Sequence, residues 1–268
     1  MIKKVDKGAK KMITFNQGTT EEPEKTRFHS HIHNDYELFY FLRGDADYII
    51  EGATYRMHRH DLLLIRPRIY HNLLLHSNAT YERFVINFSK EDVPEFVHEV
   101  LRNEKPVCNI EEHPLPLLMF DEWKTRSKTF SPEELACHVR STLYTTLLTL
   151  KHRTPTESIQ PIHRNRALET ILQYIDEHPT EQHTAETLSG HFFVSTSWII
   201  HSFRQHLGIT LQQYVSKKRA LYAQRLLRRG TPATEVAQIC GFESYTTFYR
   251  QYVRIFGTSP QKEKNAET

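Results

Sequence analysis

Two stretches near the C-terminal end of the chain carry one pattern, 49 positions apart. Laying Glu186 on Glu235 also brings Phe193, Ser195, Gly208 and Gln212 onto Phe242, Ser244, Gly257 and Gln261. The apolar frame repeats too. Ile199, Phe203 and Leu207 fall on Phe248, Tyr252 and Phe256, in each copy one helical face at i, i+4 and i+8. Few folds accommodate such a repeat, because a recurring supersecondary unit has to be packed twice in one domain.

Each copy reads as a short helix, a tight turn and a second helix. In the first, Ala185, Leu188 and Phe192 form a stripe, Phe193-Val194 carries the turn, and Ser195 caps a helix ending before Gly208. In the second, Pro232 fits the first helical position, Val236, Ile239 and Cys240 form the stripe, Gly241 turns the chain, and Ser244 caps a helix ending before Gly257. Trp198, Ile199, Phe203, Phe248 and Tyr252 are expected in the core.

A longer helix is expected between the copies. Thr210 and Gln213 make a capping box, and Arg228-Arg229-Gly230 is a favourable end. Leu211, Tyr214, Val215, Tyr222 and Leu226 form its inner face, and Lys217, Lys218, Arg219 and Arg225 its outer one. Paired short helices with a polar second helix fit a DNA major groove. Charge placement agrees: residues 163–268 hold 13 Lys and Arg against 9 Asp and Glu (+4), whereas the rest holds 22 against 23 (−1).

The run from Thr184 to Lys262 resembles the DNA-binding domain of the AraC/XylS transcriptional regulators. The matching residues are Arg219-Ala220, Leu226-Leu227, Val236 through Phe242, Phe248 through Tyr252, and Gly257-Thr258-Ser259-Pro260. The resemblance implies two helix-turn-helix motifs, at about 184–206 and 233–255. By match to the family motif, Ser197, Ile200, His201 and Arg204 line the exposed side of the first reading helix, and Tyr245, Thr246, Tyr249 and Arg250 that of the second. Arg250 is the best candidate for a base contact, since a guanidinium can bond both O6 and N7 of guanine. Where the family usually has arginine, the first copy has His201. Lys217, Lys218, Arg225 and Arg254 are expected on a solvated face, with phosphate contact at most.

The N-terminal half has a different rhythm. Tyr36–Leu42, Tyr48–Ile50, Leu62–Ile65 and Tyr81–Phe88 read as short strands punctuated by Gly44, Gly52 and Pro67, as in a small antiparallel barrel or sandwich. His31, His33, Glu37 and Gly44 match the first cupin motif, and Pro67 and His71 fall near the second. That second motif departs from the pattern: His60 stands where a glycine is expected ahead of Asp61, and another near Ile69 is missing. The span from Phe28 to Phe88 thus resembles the cupin-like sensor domain common in the same family, which implies a bound small molecule.

His31, His33, Glu37 and His71 have two readings. One is a divalent-metal site, with two imidazoles on alternate positions of one strand, a carboxylate beyond them and a fourth ligand across the barrel. The other, which is preferred, is the polar rim of a metabolite pocket. No cofactor and no catalytic residue are expected. Tyr36 and Phe39 are further candidates for the ligand site, and Phe41, Tyr48 and Tyr55 are other aromatics able to line it. His29, His58, His60 and His76 fit no ligand spacing.

Helices are expected at Val93–Asn103, Leu115–Trp123 and Pro132–His152. Leu135, Val139, Leu143, Leu147 and Leu150 stripe the last of these, a face that would pack on the barrel or pair two protomers. Thr154–Ser158 is polar and aperiodic, as a linker would be.

The expected architecture is therefore α+β in two domains. A cupin-like sensor at 1–153 with flanking helices is followed by a linker at 154–162 and an all-α DNA-binding domain at 163–268. The expected function is sequence-specific DNA binding under control of a small-molecule effector, a sugar among the candidates. This would be a bacterial transcription factor, an activator, and a homodimer. The alternative is a cupin-type metal sensor or metalloenzyme joined to a DNA-binding domain. The basic N-terminus, Lys3, Lys4, Lys7, Lys10 and Lys11, leads into no apolar segment, so no membrane partner is expected. Three scattered cysteines, Cys108, Cys137 and Cys240, point to a reducing cytoplasm.

Overall fold

The computed structural model describes residues 2–4, 13–23, 30–102, 105–126, 128–153 and 159–264. The linker proper at Thr154–Ser158, together with Lys7, Lys10, Lys11, Phe28 and His29, lies outside the described residues. Two compact units result, Met1–Arg164 and Asn165–Thr268. An antiparallel-sheet unit followed by a helical one makes the chain α+β.

The first unit holds ten described strands. In chain order they are β1 (Ile2–Lys4), β2 (Thr14–Thr20), β3 (Tyr36–Arg43), β4 (Ala46–Ile50), β5 (Ala53–Arg56), β6 (Asp61–Ile65), β7 (His71–Leu75), β8 (Tyr81–Phe88), β9 (Val107–Asn109) and β10 (His163–Arg164). They form a six-stranded sheet, β1-β2-β8-β3-β6-β9, and a four-stranded sheet, β10-β5-β4-β7. The expected barrel is thus corrected. Among the described residues, backbone pairing does not close the strands into a barrel.

Alternation along β3 decides which layer each residue enters. Phe39 and Phe41 join Tyr48, Tyr55, Leu63, Leu73 and Tyr81 in the core between the sheets. Leu38, Tyr40 and Leu42 face the other way, onto α1 (Pro114–Arg126) and α2 (Pro132–His152). The leucine stripe of α2 is buried in that second core, so packing on the sheet, rather than pairing of protomers, is its use. Trp123 locks the layer: it is fully buried, stacks on Phe15 and donates to Thr142 Oγ1 at 3.3 Å.

Between β8 and β9 the expected helix at 93–103 is replaced by three single 3-10 turns, at Lys90–Asp92, Glu95–Val97 and Val100–Arg102. Pro94 has no N–H and keeps Val93 extended, which separates the first of these turns from the second. The two departures from the cupin motif also have a backbone consequence. His60 and Arg68 take left-handed φ of +69° and +65°, a conformation glycine adopts more cheaply. His60 is held there by the Tyr40 hydroxyl, 2.6 Å from its Nδ1.

After α2 the chain returns to the sheets. Ile159 N–H donates to the Val107 carbonyl and Ile162 N–H to that of Thr54, and β10 then pairs with β5 through His163↔Thr54 and Arg164↔Ala53.

The second unit is α3 (Arg166–Glu177), α4 (Ala185–Phe192), α5 (Thr196–Ser202) continuing through a widened π turn at Phe203–Leu207, α6 (Leu211–Arg228), α7 (Ala233–Ile239), α8 (Tyr245–Phe256) and α9 (Pro260–Lys264). Local signals set its boundaries. Ser195 and Ser244 accept the N–H groups of Trp198 and Thr247, and Thr210 and Gln213 close a capping box on α6. Gly208 and Gly257 end their helices in the left-handed conformation. Pro232 is the cap of α7 rather than its first helical residue. Ile199, Phe203, Phe248 and Tyr252 are buried as expected, but Trp198 is only half-buried and Ile239 is 40% exposed. Among the described residues no helix is long and apolar enough to cross a membrane.

Candidate functional site

The first unit contains a cavity of about 620 Å³, walled by residues of β2, β3, β4 and β8 and by His31, His33 and Asp35. His31 and His33 are not on a strand, as the sequence had implied, but on an extended loop tied to its neighbours. His31 exchanges backbone hydrogen bonds with His71 at 3.1 and 3.2 Å, and Arg68 N–H donates to the His33 carbonyl at 2.8 Å. Those ties place the His31 and His71 rings 4.1 Å apart. One nitrogen from each of His31, His33 and His71 and a carboxylate oxygen of Glu37 all lie within 4.8 Å of one another.

Glu37 is the centre of this group. Its Oε2 lies 3.0 Å from His33 Nε2 and 3.6 Å from His71 Nε2, and accepts from Asn87 Nδ2 at 3.3 Å. Its Oε1 accepts from the Tyr48 hydroxyl at 3.2 Å, a bond that joins the two sheets. Burial opposes the ionised form of Glu37, yet hydrogen bonds and charge from His33 and His71 hold its pKa well below the usual carboxylate range. Burial likewise disfavours the His33 imidazolium, but Glu37 and the Asp35 carbonyl outweigh it and raise its pKa. Burial, then the Glu37 charge, pushes the Tyr48 phenol up, so it stays a donor.

Of the ligand-site candidates, Phe39 lines the cavity and Tyr36 does not. Tyr36 lies on the opposite face of β3, stacked on Phe88 at 5.5 Å against the helical layer. Tyr48 also lines the cavity, while Phe41 and Tyr55 only pack the core around it. Sequence reasoning missed Arg83 and Asn87, which β8 sends into the cavity on alternate positions. The Arg83 guanidinium lies 4.9 Å from the Tyr81 ring centroid and against β2 at Gly18, where a Cβ would sit 2.0 Å from Nη1. Gly18 is its cross-strand partner, so the missing side chain gives the guanidinium its place.

The second unit carries a different surface. On α5, Ser197, Ile200 and His201 are exposed, as is Arg204 in the turn that extends it. On α8, Tyr245, Thr246, Tyr249 and Arg250 are exposed. The 49-residue offset maps Ser197, Ile200 and His201 onto Thr246, Tyr249 and Arg250, exposed onto exposed.

The α6 cations divide. Arg225 is exposed and Lys217 half-buried beside Phe256. Lys218, expected on the solvated face, is only 5% exposed and pairs with Asp176 of α3 at 2.7 Å. Its long side chain lets a charge start from the packed face of α6 and end on its neighbour. Arg219 donates to the Glu181 carbonyl. Lys218→Ala should therefore cost about 1–3 kcal/mol of stability, discounted because Asp176 keeps access to water, and leave the salt dependence of DNA binding unchanged. Thermal denaturation and a salt titration check this; a flatter salt slope at unchanged stability would return Lys218 to the phosphate contacts.

Family models match both parts of the chain: an AraC-like ligand binding domain over residues 18–122 and a helix-turn-helix domain over 188–266. The chain belongs to the AraC family. The AraC-like ligand-binding match encloses His31, His33, Glu37, His71 and Arg83, and the helix-turn-helix match encloses α5 and α8. The chain is similar to the probable transcriptional regulator LumQ of Photobacterium leiognathi, with 36% identity over 93 residues, 34% of this chain and 38% of that protein. It is also similar to the HTH-type transcriptional activator RhaS of Enterobacter sp. (strain 638), with 28% identity over 132 residues, 48% and 47% of the respective chains. The chain thus spans less than half the length of the curated relatives it matches. Among solved structures, ToxT of Vibrio cholerae O395 is similar with a TM-score of 0.41 and 16% identity, covering 95% of this chain and 98% of that one.

Proposed function

We propose that this AraC family chain is a transcriptional regulator that binds double-stranded DNA through two helix-turn-helix motifs, α4–α5 and α7–α8, under control of a small molecule held in the cavity of the first unit. The observation that carries the DNA reading is the exposed-onto-exposed mapping of α5 and α8. A duplicated core gives both helix pairs the same geometry, and the outward positions it leaves exposed carry different side chains in the two copies, as suits two different segments of one extended partner. Successive major-groove segments about 34 Å apart fit that description. Ser197, Ile200, His201 and Arg204 would meet one segment, and Tyr245, Thr246, Tyr249 and Arg250 the next.

The effector reading rests on the cavity. Aromatic walls from Phe39, Tyr48 and Tyr81, with Arg83, Asn16 and Asn87 among them, suit a polar molecule of sugar size or one carrying an anionic group. Its binding would alter how one protomer, or a pair of protomers, presents α5 and α8 to DNA.

The test is selection of bound sequences from a random duplex pool with the full chain, with and without candidate sugars and sugar acids. Two conserved half-sites about 10–10.5 base pairs apart are expected. Enrichment of no sequence, or of a single half-site, would reject the two-motif reading. One substitution tests the asymmetry between the copies. His201→Arg should sharpen base preference at one position of the weaker half-site by about 1–3 kcal/mol; a uniform gain on all sequences with a steeper salt slope would mean that the position touches only phosphate.

A further inference from the structure

We propose that the effector is an organic acid, held with its carboxylate on the Arg83 guanidinium at one end of the cavity and its hydroxyl-bearing end toward Glu37. The inference rests on the cavity being the effector site, and adds the charge and the direction of the molecule bound there.

Strand register lays the floor of the cavity out in rows. Asn87 and Glu37 share one row across β8 and β3, Val85 and Phe39 the next, and Gly18 and Arg83 the third, across β2 and β8. At about 3.4 Å per residue, the Arg83 row lies roughly 14 Å from the Glu37 row. An apolar waist separates the two polar ends.

The Arg83 end is built around a cation. Its guanidinium lies beside the Tyr81 ring and against Gly18, where a Cβ would sit 2.0 Å from Nη1 and 2.7 Å from Cζ. Neither contact occupies an N–H, and among the described residues the guanidinium makes no hydrogen bond and no ion pair. Nearby carboxylates are committed elsewhere. Glu82 points to the opposite face of β8 and pairs with Lys124 at 3.2 Å, while Glu37 serves His33, Tyr48 and Asn87.

An arginine that serves the sheets alone looks different: Arg56 is paired with both Asp45 and Asp47. Solvation alone would need no glycine opposite Arg83, whereas the absent Cβ lets its head lie against β2 inside the cavity wall. A half-buried guanidinium whose fork of donors the chain leaves unmatched is matched by a planar carboxylate, which it can bond at two points.

Charge also fixes direction. Glu37 is ionised at the far end, and Asp35, two residues before it, is in the wall as well. A carboxylate is repelled there and drawn to Arg83, while a hydroxyl can donate to Glu37 or accept from Asn87.

The experiment is calorimetric titration of the full chain with matched pairs: sodium galacturonate with galactose, and sodium mandelate with mandelamide, which separate sugar acids from aromatic ones. An acid should bind at one molecule per chain, and at least about 10-fold more tightly than its neutral partner. Arg83→Gln should weaken the acid by about 10- to 100-fold and leave the neutral partner where it was. Gly18→Ala keeps the charge but displaces the head of a flexible side chain, so it should weaken the acid too, with the melting midpoint of the unliganded protein unchanged. Equal binding of both members of a pair, or acid binding that Arg83→Gln leaves unchanged, overturns the carboxylate assignment and keeps the cavity as the effector site. Binding of neither acids nor neutral partners overturns the cavity reading, and this inference with it.

Discussion

Replacing Phe248 by alanine is expected to cost about 3–5 kcal/mol and to remove the second helix pair from the folded unit. Phe248 is fully buried among Leu227, Val236, Cys240 and Tyr252, with ring contacts to Phe242 at 5.2 Å and Tyr252 at 5.6 Å. Removing the ring leaves a cavity in the cluster that packs α7 and α8 against α6. Against a total stability of about 5–15 kcal/mol, the loss should lower the melting midpoint of the second unit by roughly 15 °C or more. The two tryptophans make this measurable: Trp123 lies in the first unit and Trp198 in the second, so Trp198 fluorescence in a Trp123→Phe background follows the helical unit alone. A shift of only a few degrees would show that the helix pairs are held by something other than the repeated apolar frame.

Arg250→Ala, two residues further along the same helix, should do the opposite. Its side chain is exposed, so stability should hold within about 0.5 kcal/mol, while DNA affinity falls by about 1–3 kcal/mol, roughly 5- to 150-fold. The loss should be confined to one base-pair position. On a duplex already altered there, wild type and variant should bind alike. Fluorescence anisotropy on a set of single-substitution operators measures this, and an equal loss on every operator would place Arg250 on a phosphate instead.

The helical unit was the more legible half of the chain, for a local reason. Caps such as Ser195, Ser244 and Thr210, and stops such as Gly208 and Gly257, act within a few residues and leave their mark in sequence order. Lys218 escaped because its charge hid a packed position: only the placement of α3 beside α6 puts Asp176 within its reach. In the first unit, β3, β4, β6 and β8 could be read, whereas β2, β5, β7 and β9 could not. Thr14–Thr20 is polar and interrupted by Gly18, and His71–Leu75 has no alternation, since nearly all of it is buried.

Sheet closure was beyond the sequence as well, because it depends on which strands pair across long separations. The same holds for the cavity. Arg83 enters it because β8 lies between β2 and β3 in one particular register, with Gly18 opposite. No spacing along the chain encodes that. His71, by contrast, stood out through its distance from Pro67, and its backbone exchange with His31 is what puts the two rings side by side.

The pairing of β10 with β5 has a mechanical meaning. It involves two residue pairs, extended by the single bond from Ile162 to Thr54, and the first residue of α3 follows Arg164 after only Asn165. While that short strand stays zipped, residues 163–164 belong to the edge of the four-stranded sheet. Unzipping residues 159–164 would pay out six residues, about 20 Å of extra leash at full extension. The same sheet contributes Tyr48 and Leu73 to the wall of the cavity. A two-residue strand at its edge therefore decides how much of the chain leading into α3 is held by the first unit.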